Sequence, residues 1–312
     1  MHFSPNLLHI PDVYLSLPVA IVCWAITAII LAVAVRRTNQ LLGERQIPLM
    51  GVMAAFIFAA QMINFPTGVG VSGHLLGGAL AAILLGPWSA MLVMTAVIAV
   101  QGLLFQDGGL TAMGANILNM GIITAAIGYG FHRTVLARGR GVKLAVAGVA
   151  AWISVMAGAL TTSLELWLSG SANLQAVALA MLAFHAVIGL GEAAITVAAL
   201  GFIMRTRPDL TNESPGASRG GRGWILAGVL ITLAVLLLAP FASANPDGLN
   251  RVAMDLGIAP THVSNAPSLL PGYVVPALGG GGLSKIAAGA IGLVVVVILI
   301  LLVGRAIPNQ RS

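Results

Sequence analysis

Charged residues are scarce in this chain: aspartate, glutamate, lysine and arginine make up only 8% of its 312 residues, while 58% are hydrophobic. A soluble domain could not cover its surface with so few polar groups, so a soluble globular fold is excluded. The apolar stretches are long and unbroken, whereas the strands of a membrane barrel would alternate polar and apolar residues. The composition therefore predicts an all-α integral membrane protein, built as a polytopic helical bundle.

Cysteine is almost absent as well. The single cysteine, Cys23, lies inside the first apolar run, which excludes an internal disulfide and any metal site made of several cysteines. We interpret Cys23 as a small buried apolar residue. The formal net charge of +6 does not indicate nucleic acid binding, because the basic residues fall in short loops between apolar runs. No basic segment or small-residue cleavage pattern of a signal peptide is visible.

Hydropathy predicts nine spans, seven in a first part of the chain and two in a C-terminal part. They cover residues 17–35, 48–63, 74–85, 89–104, 113–131, 144–166, 174–204, 224–240 and 286–303. The third run is short and begins among glycines, which indicates a half-spanning or tightly packed helix. If the N-terminus lies outside, all of the 15 basic residues except Arg251 and Lys285 face the cytoplasm. The positive-inside rule therefore predicts a multi-pass protein of the cell membrane with its N-terminus outside.

The predicted outer side collects polar residues. His9 and Asp12 precede the first span, His74 follows the loop 64–73, and Asn116 and Asn119 begin the fifth span. Imidazole suits nickel, copper, zinc and ferrous iron, whereas calcium or magnesium would need more oxygen ligands. The alternative is that the histidines merely meet water and lipid headgroups.

A histidine at the second position of a chain permits a specific site. The terminal amine, the histidine's backbone amide and its imidazole can form fused chelate rings, and a second imidazole completes the square plane that Ni(II) and Cu(II) favour. The sequence as given has such a histidine in Met1-His2. Leu8-His9 would provide one if the mature chain began at Leu8.

Ionisable residues within predicted spans carry a functional hypothesis by default. His185 and Glu192 lie seven residues apart on one face of the seventh span, and either form a proton relay or hydrogen-bond to neighbouring helices. Glu165, at the outer edge of the sixth span, is expected to be solvated.

Catalytic motifs are missing. The chain has no His-Glu-x-x-His cluster, so an intramembrane metallohydrolase is disfavoured, and no catalytic cofactor is expected. It also lacks the Gly-x-x-x-x-Gly-Lys-[Ser/Thr] loop, so any ATP energy must come from a partner. A binding or transport protein rather than an enzyme is predicted.

Four motifs occur in an order typical of one family. Residues 9–16 (HIPDVYLS), 72–79 (SGHLLGGA) and 108–116 (GGLTAMGAN), together with His185, Gly189, Gly191 and Glu192, resemble the M component of nickel/cobalt energy-coupling-factor transporters. Residues 246–250 (PDGLN) and the closing apolar span resemble the small N component, which in that family is separate or fused to M; Asn250 stands where the family has glutamate. The expected domains are therefore 1–205 (M-like), 206–222 (cytoplasmic linker) and 223–312 (N-like, two spans and an outer loop).

The resemblance implies a substrate-capture subunit for Ni(II) or Co(II) that works with a transmembrane coupling subunit and cytoplasmic ATPases. It implies metal ligation by the amine of Leu8, by His9 and by His74. Here residues 1–7 precede Leu8 and Val13 replaces the family's usual glycine. Three explanations compete for the extra residues: translation starts at Leu8, the segment is cleaved, or Met1-His2 supplies the amine. The alternative function is a self-sufficient ion-coupled carrier that uses His185 and Glu192. The Ile-Pro-Asp form of the first motif favours nickel by resemblance.

Overall fold

The computed structural model describes residues 9–41, 46–207, 223–258 and 269–306. Long apolar runs form helices because a helix satisfies all of its backbone hydrogen bonds internally, as lipid requires. The α-helices are α1 Leu17–Leu41, α2 Gln46–Gln61, α3 Gly78–Leu85, α4 Pro87–Phe105, α5 Met113–Asn116, α6 Thr124–Arg133, α7 Arg140–Leu168, α8 Leu174–Thr206, α9 Gly223–Leu236, α10 Gly248–Asp255 and α11 Gly282–Ala306.

Short elements complete the fold. A two-stranded antiparallel ladder pairs β1 Phe65–Pro66 with β2 Ser72–Gly73, in the register Phe65 to Gly73. Single 3₁₀ turns lie at Asp12–Tyr14, Ala239–Phe241, Pro271–Tyr273 and Pro276–Leu278. The predicted all-α membrane bundle is confirmed: large apolar side chains such as Leu17 and Ile29 are mostly exposed along α1, as expected for a surface that faces lipid.

Six helices in the described part of the chain are long and apolar enough to cross a membrane: Leu17–Asn39, Pro87–Phe105, Arg140–Leu168, Leu174–Thr206, Gly223–Phe241 and Gly282–Arg305. The helix Gln46–Gln61 is apolar but shorter. The predicted fifth span is continuous through α5, a π-helical segment at Ile117–Ile123 and α6. The third predicted span was too long, because Gly77 adopts a φ of +82° and α3 begins only at Gly78.

The short α3 helix is enclosed by other helices rather than by lipid. A Cβ added to Gly128 of α6 would lie 2.6 Å from the Cα of Ala79, so α3 and α6 pack backbone against backbone. Such contact of small residues is the usual means by which helices associate closely in membranes.

The expectation for Glu165 was wrong. Its side chain is only 4% exposed, and it accepts hydrogen bonds from Asn119 and Cys23. The sequence places Glu165 near a helix end, but α1 and the π-helical segment cover it from two sides. Position along its own helix could not reveal this covering.

Candidate metal site

The segment before α1 is fixed to the loop between α4 and α5 and to the last residue of α5. The amide of Ile10 donates to Asn116 Oδ1 (3.0 Å), and Asn116 Nδ2 donates back to the Ile10 carbonyl (3.1 Å). The amide of Gly109 donates to the same carbonyl (2.9 Å). The backbone of Ile10, next to His9, is therefore held at both its amide and its carbonyl group.

Asp12 anchors the same segment, and one of its carboxylate oxygens accepts three hydrogen bonds. Its Oδ1 accepts from the Thr111 amide and hydroxyl, each at 2.7 Å, and from the Ala112 amide at 3.1 Å. A Cβ on Gly109 would collide with the Asp12 carboxylate and amide, so only glycine permits this approach. Asp12 thus acts as a structural anchor of the N-terminal segment.

His9 is 2% exposed and its two ring nitrogens differ. Nδ1 lies 3.0 Å from the carbonyl oxygen of Asp107, so Nδ1 carries the proton and donates. The other ring nitrogen, Nε2, is buried without a hydrogen-bond partner. A buried polar atom without a partner is costly, and in this position it is an available metal ligand.

His74 lies just before α3 in a loop that Glu192 of α8 holds. The Glu192 carboxylate accepts from the amides of Leu76 (2.6 Å) and Gly77 (2.9 Å). Nδ1 of His74 donates to the Leu75 carbonyl (3.1 Å), which leaves the Nε2 lone pair for a ligand. Burial, and next the neighbouring His9, lower the pKa of His74 to about 4, so its imidazole is neutral at physiological pH.

The structure brings His9 and His74 together although they are far apart in sequence. Their ring centroids are 5.9 Å apart with an interplanar angle of 76°. With a metal–nitrogen bond of about 2 Å, an ion lies roughly 3 Å from each ring centroid, so one ion can reach both rings. Leu8, the third predicted ligand, lies outside the described residues.

A cavity of about 70 Å³ opens beside the two histidines. Its polar lining comes from residues that no sequence motif placed together: Asn116, Asn119, Thr162, His185 and Asp247. Among the described residues, no three histidine, cysteine, aspartate or glutamate side chains are grouped to hold a metal ion. A site centred on His9 and His74 therefore needs further ligands of another kind, such as a backbone nitrogen, a carboxamide oxygen or water.

The C-terminal region closes the cavity from another side. Ser72 donates through its amide to the Pro246 carbonyl and through its hydroxyl to the Asn245 carbonyl, both at 2.8 Å. Asp247 caps α10 by accepting from the Asn250 amide (2.7 Å). Burial raises the pKa of Asp247 to about 8, although the Asn250 hydrogen bond opposes that shift.

A second contact from the C-terminal region supports His9. The Tyr273 hydroxyl donates to Asp107 Oδ2 at 2.6 Å, and the Tyr273 ring stacks on Phe105 with centroids 4.5 Å apart. The Asp107 carbonyl accepts the hydrogen bond from His9. By holding the Asp107 side chain, Tyr273 therefore also helps to fix the acceptor of His9. The C-terminal region thus contacts the loop that carries His74 directly and the segment that carries His9 through Asp107.

His185 and Glu192 differ in surroundings. Nδ1 of His185 donates to the Met181 carbonyl (2.7 Å), and its ring lines the cavity. Glu192 is fully buried, and the hydrogen bonds to the loop after His74 occupy both of its oxygens. Glu192 therefore hydrogen-bonds to a neighbouring segment, which was one of its two expected roles, and that segment is the loop that carries His74.

Comparison with known proteins assigns both parts of the chain. Residues 9–210 match the family model "Cobalt uptake substrate-specific transmembrane region" (CbiM), and residues 222–309 match the PDGLE domain. A fused NikMN protein of Archaeoglobus fulgidus is 34% identical, over 94% of this chain and 96% of its own length. The fused nickel transport protein NikMN of Rhodobacter capsulatus is 32% identical, over 76% and 74%.

A solved structure supports the same family assignment. The crystal structure of a transition metal transporter superposes with a TM-score of 0.60 at 31% identity, covering 68% of this chain and 100% of that one. The predicted resemblance to an M component fused to an N-like domain is thereby confirmed. The chain belongs to the CbiM family of substrate-specific transmembrane components and carries a C-terminal PDGLE domain.

Proposed function

We propose that this chain is the substrate-binding membrane subunit of an ATP-driven importer for Ni(II) or Co(II). The observation that supports it is the convergence of two buried imidazoles, His9 and His74, beside a cavity that several polar side chains help to line, at one end of the bundle. Nitrogen ligands suit these borderline ions. The names of the relatives, which are nickel and cobalt transport proteins, favour the same metals and a non-enzymatic function.

The site end of the bundle is proposed to face the outside of the cell membrane. The segments that meet there are the N-terminal segment, the loops before α3, α5 and α8, and the region between α9 and α11. Of the lysine and arginine residues, the only ones at this end are Arg251, in α10, and Lys285, in the first turn of α11, so the positive-inside rule places this end outside. Metal would thus be captured from the external medium.

The proposed ligands are the imidazoles of His9 and His74, the backbone amide nitrogen of His9 and the amine of Leu8. A chelate ring that includes a histidine's own amide uses Nδ1 of that histidine. In the present arrangement Nδ1 of His9 donates to Asp107, so planar chelation requires this ring to turn and release the Asp107 carbonyl.

This ligand set predicts the mature N-terminus. We expect the metal-loaded protein, purified from its native membrane, to have an intact mass that corresponds to a chain beginning at residue 8. Fragmentation of the intact protein should retain one Ni(II) on the N-terminal fragment that contains His9. A loaded protein that begins at Met1 would exclude the amine of Leu8 as a ligand, while binding through His9 and His74 would still be tested by their own variants.

Dependence on partners separates the importer from a self-sufficient carrier. Proteoliposomes that contain this chain alone should bind radioactive Ni(II) but not concentrate it, because the chain contains no ATP-binding loop of the Walker type. Adding the coupling subunit and ATPases, with ATP, should start concentrative uptake. Uptake by the chain alone, driven by a pH gradient, would instead support the carrier with His185 and Glu192 as its relay.

A further inference from the structure

Among the described residues that line the cavity beside His9 and His74, Asp247 is the only carboxylate. It is buried and stands at the start of α10, in the C-terminal region. The other polar groups of the lining are imidazoles, carboxamides and a hydroxyl, which carry no negative charge. Asp107 lies near His9, but its carboxylate accepts from the Tyr273 hydroxyl and is not part of the lining.

A divalent ion held by His9 and His74 brings two positive charges into this space. Two neutral imidazoles do not compensate them, and a buried charge is unfavourable unless an opposite charge lies near it. Ligation by the backbone amide nitrogen of His9 displaces the amide proton and so offsets one of the two charges. One positive charge is left, and a single carboxylate in the wall would balance it.

The backbone on both sides of Asp247 is fixed. The amide of Ser72 donates to the carbonyl of Pro246 at 2.8 Å, and a Cβ on Gly248 would lie only 2.8 Å from Cε1 of His185. The start of α10 therefore packs on the loop before α3 and, because Gly248 lacks a side chain, closely against α8.

Asp247 has no basic partner within the described ranges. Its Oδ1 accepts from the amide of Asn250 at 2.7 Å, whereas Arg251, one helical turn further on, pairs with Asp255 at 2.9 Å. No lysine, arginine or histidine of the described chain forms an ion pair with Asp247. The raised pKa of Asp247, which burial causes, agrees with a carboxyl group that lacks a counter-charge.

The arrangement separates Asp247 from the direct ligands. It is not grouped with the two histidines as a third metal-holding side chain of the described residues. The cavity volume is about 70 Å³, whereas one water molecule needs about 10–15 Å³ of such space, so water ligands of an ion fit beside the imidazoles.

We propose that Asp247 is the counter-charge of the bound ion, and that its oxygen not engaged in capping α10 accepts a hydrogen bond from a water ligand of that ion. This rests on the function proposed above. A carboxylate that supports a metal site in this way typically strengthens metal binding by about 10- to 100-fold. The C-terminal region thereby supplies the negative charge of the cavity wall.

Asp247→Asn tests the proposal on the full chain in detergent micelles, because asparagine caps a helix as well as aspartate does and removes only the charge. Isothermal titration with NiCl₂ should show Kd raised about tenfold or more. The midpoint of thermal unfolding without metal should not fall, and the X-ray absorption spectrum at the nickel K-edge should match that of the wild type, since the direct ligands are retained. Asp247→Ser, which also keeps a capping group, should behave in the same way.

A matched control removes a carboxylate from the same helix outside the cavity. Asp255→Asn, at an exposed position of α10, should leave the Kd for Ni(II) unchanged. A wild-type Kd in Asp247→Asn, while His74→Ala loses binding, would overturn the counter-charge and leave the proposed function intact.

Two further outcomes are distinguishable. A raised Kd together with a changed nickel-edge spectrum or a lower unfolding midpoint would show that Asp247 only holds the site in shape, and would overturn the counter-charge as well. If His74→Ala bound Ni(II) like the wild type, the proposed function would fail and this inference with it.

Discussion

Replacing His74 by alanine is expected to abolish tight Ni(II) binding, with Kd raised at least about 100-fold, because loss of a supporting partner alone typically costs about 10- to 100-fold. His74 supplies one of two converging imidazoles, and the loop that carries it is fixed by Glu192, so another side chain cannot readily take its place. Isothermal titration of the purified protein with NiCl₂ would measure the effect.

A matched control for this result lies at the other end of the bundle. His132 is in the last turn of α6, remote from the cavity lining, and His132→Ala should leave the Ni(II) affinity unchanged. His9→Ala should reproduce the loss seen with His74→Ala. If Ni(II) bound equally well to His74→Ala and to the wild type, the two-imidazole site would be refuted.

Replacing Glu192 by leucine should give the second large effect, in both stability and metal binding. The substitution leaves the amides of Leu76 and Gly77 buried without their acceptor, at about 1–3 kcal/mol for each unsatisfied group. The loop that carries His74 then loses its support, and we expect Ni(II) affinity to fall by about tenfold or more. Thermal unfolding and Ni(II) titration of the same preparation would record both effects.

Glu192→Gln provides the graded comparison. Its amide oxygen can still accept from one of the two backbone amides, so stability and affinity should lie between those of the wild type and Glu192→Leu. A proton relay makes the opposite prediction, since glutamine would stop transport while Ni(II) affinity stayed at the wild-type value. Loss of transport with unchanged Ni(II) affinity would support the carrier and contradict the structural role of Glu192.

The helices could be predicted from sequence because lipid allows few alternatives for a long apolar run. The start of α3 could not be predicted, since Leu75 and Leu76 extend the apolar run and only the left-handed backbone at Gly77 reveals the break. Burial of Glu165 depends on α1 and on the π-helical segment, which are more than 40 residues away in sequence. Burial by segments so far away along the chain leaves no local pattern in the sequence around Glu165.

The site was predictable in part. Motif resemblance nominated His9 and His74, and the structure places them beside one another, while their role as ligands stays a prediction. His185 and Asp247 enter the cavity from α8 and from the start of α10, so neither motif indicates that they meet. The role of Glu192 follows from its hydrogen bonds to the loop after His74, whereas its position within an apolar run suggested only a relay or helix packing.

Docking of the C-terminal region, through Ser72 with Pro246 and through Tyr273 with Asp107, has a consequence for how the site is assembled. In a single chain these contacts form within one molecule, at an effective concentration that a short linker can raise to the millimolar range. A separate subunit would have to reach the same place by diffusion in the membrane, and its occupancy would vary with its expression. Fusion therefore makes the covered state of the cavity independent of how much protein the cell produces.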